Sequence, residues 1–98
     1  MTRIENIEQL TAFLNTQIEM DACCMPIEDY GITCFFDQSP KKIRAKLQKI
    51  LTNSVWDGYS YRDEEMNILI LLQNAGGATL CIATVLSLHN TYLEQFDY

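Results

Sequence analysis

The sequence predicts an α+β fold, two amphipathic helices packed on a small, mainly antiparallel sheet. Three observations carry this reading. Apolar residues recur at three and four over residues 4–20 and again over 40–52, β-branched and aromatic residues dominate 30–36, and two apolar runs flank Gly76-Gly77. With 98 residues, 48% of them apolar, and no internal repeat, residues 1–98 are expected to form a single compact domain. That content excludes disorder over most of the length.

The first helix is read over 4–20, with Ile4, Ile7, Leu10, Leu14 and Ile18 on one side and Glu5, Glu8 and Glu19 on the other. Thr2 and Glu5 have the spacing of a capping box. Asp21 to Pro26 should stop it, because Pro26 lacks a backbone donor and biases Met25 away from helix. Tyr30 to Phe36 reads as a strand with Ile32, Cys34 and Phe36 on one face. Ser39 and Pro40 open the second helix, a favourable cap followed by a favourable first position. Ile43, Leu47, Ile50 and Leu51 form its buried stripe.

After Trp56-Asp57-Gly58, Tyr59-Ser60-Tyr61 alternates as a short strand. Met66–Gln73 and Ala78–Ser87 read as two strands joined by a loop over 74–77, where Gly76 and Gly77 supply positive φ. Both faces of these strands are apolar, so a homodimer burying the second face is expected. Residues 90–98 either add a short helix or simply pack. A rival reading lets Asp63-Glu64-Glu65 start a helix that ends at Gly76. A membrane span over 68–88 is a second rival, disfavoured by Gln73, Asn74 and the glycines near its middle and by acidic flanks.

The net charge of −6 and pI of about 4.5 argue against a sequence-independent grip on nucleic acid or anionic membrane. The charge is also segregated. Residues 40–52 hold five of the seven cations and no acid, whereas 1–39 set Arg3 against seven carboxylates and 53–98 set Arg62 against six. Lys41 and Lys42 lie in a first helical turn, where cations oppose the helix dipole, so neighbouring carboxylates or a partner must answer them. Ser39-Pro40-Lys41-Lys42 resembles the minor-groove tetrapeptide of basic chromatin tails, but a single copy in an acidic chain is not a DNA site.

The N-terminus has no basic segment followed by an apolar run, so a cytoplasmic location and four free thiols are expected. Cys34 and Cys81 read as buried small hydrophobes, and Cys23-Cys24 as nearer the surface. The cysteine spacing and the lone His89 do not suit a zinc site. No phosphate-binding glycine loop, nucleophile with its base, or carboxylate pair in a cleft stands out, so no cofactor and no enzymatic activity are expected.

The sequence therefore predicts a small acidic cytosolic binding protein, an inhibitor of the immunity or anti-defence kind, that masks a protein partner with a basic surface. Asp63, Glu64 and Glu65 beside Trp56, Tyr59, Tyr61 and Arg62 form the first candidate patch, because aromatics and Arg are enriched at interface cores. Glu28 and Asp29 form the second. The alternatives are an assembly subunit of a larger complex and a small thiol enzyme.

Overall fold

The computed structural model describes residues 3–58 and 60–95. The elements run α1 (Ile7–Gln17), β1 (Cys23–Ile27), β2 (Gly31–Phe36), α2 (Pro40–Ile50), β3 (Val55–Trp56), β4 (Ser60–Asp63), β5 (Ile68–Ala75), β6 (Ala78–Val85) and α3 (Leu86–Glu94). The six strands make one antiparallel sheet in the order β1-β2-β6-β5-β4-β3. The fold is α+β, with three helices rather than the expected two. No helix among the described residues is long and apolar enough to cross a membrane.

Pleating divides the sheet into two faces, because directly paired residues point the same way. One face carries Ile32, Cys34 and Phe36 of β2, Thr79, Cys81, Ala83 and Val85 of β6, and Ile68, Ile70 and Leu72 of β5. All are buried, in one core with Leu10 and Leu14 of α1 and Ile43 and Leu47 of α2; Thr79 alone is polar. Its hydroxyl donates to the Gln38 carbonyl at 2.7 Å, which removes the cost of burying it. Helix α1 packs on β2 and β6, and α2 on β5 and β6.

The other face carries Met25, Phe35, Leu80, Ile82, Leu71 and Val55. Met25, Phe35 and Val55 are 67%, 46% and 69% exposed, and Leu71, Leu80 and Ile82 are half-buried. The apolarity of both faces, read from the sequence, is thus present, and one face is left open. A second copy covering it is not part of the structure described.

Several local expectations shift. The cap of α1 is Asn6, whose side chain accepts the Gln9 amide at 2.8 Å while Gln9 Oε1 accepts the Glu5 amide at 2.7 Å. Thr2 lies outside the described residues, so the expected capping box is not described. Ile4 and Ile18 are buried but flank the helix. Residues 23–27, expected only to end a helix, form β1. There Pro26 is tolerated because β1 is an edge strand that can spare a ladder donor.

The rival helix at 63–74 is replaced by β4, a turn and β5. Asn67 adopts φ 65°, and Asp63 Oδ1 accepts the Met66 amide at 2.9 Å to fix that turn. The β5–β6 loop is tighter than expected: Ala75 pairs with Ala78, leaving Gly76 (φ 65°) and Gly77 (φ 94°) as a two-residue turn with both φ positive. Helix α3 starts at Leu86, four residues before the tail segment considered for it.

The expectation of four free thiols is corrected. Cys24 and Cys34 face each other across β1 and β2 with Cα atoms 4.2 Å apart and form a disulfide, while Cys23 and Cys81 are free. Sequence spacing hid the pair because it depends on β1, which brings position 24 opposite 34. Disulfides persist in oxidising surroundings and are rare in the cytosol, so this pair lends no support to the expected cytosolic address.

Candidate functional site

The ladder places the candidate carboxylates. Ile27, Gly31, Thr84, Leu69 and Arg62 form one lateral row across five strands. Glu28 and Asp29 follow Ile27 in the β1–β2 turn, and Glu64 and Glu65 follow Arg62 in the β4–β5 turn. All four are exposed, and both turns project from the same end of the sheet, about 14 Å apart at three strand spacings. Two clusters separated by 34 residues in sequence therefore share one end.

Helix α3 bridges the gap between these turns. At its start, Asn67 Oδ1 accepts the Ser87 amide at 3.0 Å, standing in for the side-chain cap that Val85 cannot supply. Asn67 Nδ2 also donates to the Ile4 carbonyl at 3.0 Å and to Ser87 Oγ at 2.7 Å, so one buried side chain ties the N-terminal segment, the turn and the helix. Further along α3, His89 and Tyr92 stack on Tyr30 of the β1–β2 turn, with ring centroids 4.7 and 4.8 Å apart. Desolvation, then the charges of Glu28 and Tyr30, push the Tyr92 phenol above its ordinary pKa, which places Glu28 in the field of this aromatic group.

The other candidates divide. Asp63 is buried and Tyr61 is 3% exposed, so both act inside the fold. Tyr61 donates its hydroxyl to the Arg44 carbonyl at 3.4 Å and stacks against Trp56, centroids 4.6 Å apart. Trp56 lies on the helix-covered side beneath the Arg44 guanidinium, 4.5 Å from the ring centroid. Arg62 reaches Glu64 at 2.8 Å, an exposed pair worth little in stability. Tyr59 lies outside the described residues. Three further acids, Glu19, Asp21 and Asp37, gather at the opposite end, where Glu19 Oε1 accepts the Asp37 amide at 3.1 Å.

The sequence reading missed the Tyr30–His89–Tyr92 group, because these residues are 59 and three positions apart and carry no motif. No group of His, Cys, Asp and Glu among the described residues has the arrangement of a metal site. Burial pushes the Cys81 thiol up to about 12, which suppresses its thiolate and its reactivity at neutral pH. No family model, no curated protein and no solved structure matches the chain.

Proposed function

We propose that this chain is a small acidic binding protein that masks a basic macromolecular partner, an inhibitor of the immunity or anti-defence kind. Its approach surface is the end of the sheet from which the turns carrying Glu28, Asp29, Glu64 and Glu65 project, with the Tyr30–His89–Tyr92 group at the first of them. The observation that carries this reading is that both carboxylate turns project from one end of the sheet, the first of them carrying the Tyr30–His89–Tyr92 group. Carboxylates at a rim raise the rate of encounter with a basic surface, and aromatic side chains supply contact area at low entropic cost.

The test is binding to the partner captured from the native host as ionic strength rises. Attraction through four carboxylates weakens at least tenfold between 50 and 300 mM salt, because exposed charges are screened over roughly 10 Å at 0.1 M. Salt-insensitive binding instead supports the second reading, an assembly subunit, which the open apolar face of the sheet favours. In that reading the face is covered by another subunit or by a second copy of this chain, and sedimentation of the purified protein separates those two.

A further inference from the structure

We infer that the cleft beside Trp56 is a binding site for an oxyanion, a carboxylate or phosphate carried on a small apolar body. The cleft encloses about 260 Å³ and is lined by Pro40, Lys41, Arg44, Trp56, Gly58 and Leu72. Among the described residues its wall thus holds two cations and no carboxylate. The acid nearest in sequence, Asp57, accepts from the Ser60 amide at 2.9 Å and from its hydroxyl.

Three independent features point at an anion. First, among the described residues none of the five cations of α2 forms an ion pair; the ion pairs present are Arg3–Glu5 and Arg62–Glu64. The cations in the first turn of α2 are therefore not answered by carboxylates among the described residues. Second, Arg44 is held rather than free. Its guanidinium stacks on Trp56, and its Nε is buried without a hydrogen-bond partner. A half-buried cation with an unsatisfied donor is costly, and a counter-charge at the remaining guanidinium nitrogens relieves part of that cost. Third, the cleft opens at the start of α2, where the Ser39 side chain takes the Lys42 amide and the helix dipole favours negative charge. Pro40, Trp56 and Leu72 supply the apolar walls, so an oxyanion with an apolar body should bind more tightly than a bare ion. The site is on the helix side of the sheet and does not depend on the acidic end.

Trp56 is the only tryptophan, so its fluorescence reports this cleft directly. The full chain is titrated with inorganic phosphate, phenyl phosphate and phenylacetate, with sodium chloride at matched ionic strength as the reference. A saturating change with phenyl phosphate or phenylacetate that sodium chloride does not reproduce sustains the site, and whichever of the two saturates at lower concentration identifies phosphoester or carboxylate. Lys41→Gln, at an exposed position, keeps the wild-type circular dichroism and raises the midpoint at least tenfold. The proposal is overturned if neither phenyl phosphate nor phenylacetate differs from sodium chloride, if inorganic phosphate binds as tightly as both, or if the midpoint survives Lys41→Gln unchanged.

Discussion

Phe35 and Phe36 are neighbours in the chain and opposites in the fold. Phe36 is fully buried under the helices, and Phe35 is 46% exposed on the other side of the same strand. The contrast extends across β2, β6 and β5, where each strand alternates between a row sealed by α1 and α2 and a row that mixes apolar residues with Thr33, Thr84 and Gln73 and is only partly covered. Ordinary half-covered antiparallel sheets place polar residues on the open side. Here Leu71, Leu80, Ile82 and Phe35 occupy much of it, beside Thr33, Thr84 and Gln73. At these four apolar positions residue type does not assign the face; the helices do.

The largest expected effect is on the sealed row. Phe36→Ala should lower unfolding free energy in urea by about 3–5 kcal/mol, the usual cost of removing a buried aromatic ring. Phe35→Ala should cost less than about 1 kcal/mol, since most surface substitutions do. Equal losses would mean that the two faces are equally covered. Next is Gly31, buried at the start of β2, where an added Cβ would lie 2.6 Å from the Ala83 carbonyl oxygen. Gly31→Ala should cost about 1–3 kcal/mol through forced separation of β2 from β6. Near-neutral behaviour would show that this ladder yields.

Cys81 sharpens the comparison through pH. Its folded-state pKa is raised from 9.0 to about 12, so its stabilising contribution is complete below pH 9.0 and is lost as pH rises from 9.0 towards 12. Cys81→Ala should flatten that part of the stability profile. Thiol labelling at pH 7.5 should modify the exposed Cys23 quickly and Cys81 only at the rate of unfolding. The smallest expected effect is at Val55, 69% exposed at the sheet edge, where Val55→Thr should change stability by less than about 0.5 kcal/mol.

Much of this architecture was legible in the sequence. The periodicity of α2, the Ser39-Pro40 start and the β5–β6 hairpin follow from local chemistry that the fold does not override. What was not legible depends on distant partners. β1 is a strand because β2 offers it an edge and Cys34 a disulfide, neither of which residues 23–27 reveal. The start of α3 at Leu86 depends on Asn67, 19 residues earlier, whose side chain does the capping. The candidate carboxylates were visible as two clusters, but their common end required the sheet order. Asp63 and Tyr61 carried the right chemistry for a surface patch and were drawn inside by the turn and the core.

The most direct test of the proposed binding surface compares two variants with the same net charge. One carries Glu28→Gln, Asp29→Asn, Glu64→Gln and Glu65→Gln at the acidic end; the other carries Glu8→Gln, Glu19→Gln, Asp21→Asn and Asp37→Asn elsewhere. Affinity for the partner captured from the host at low salt should fall at least tenfold in the first and stay within about twofold of wild type in the second. Equal losses in both would show that overall charge, not this end of the sheet, governs the association.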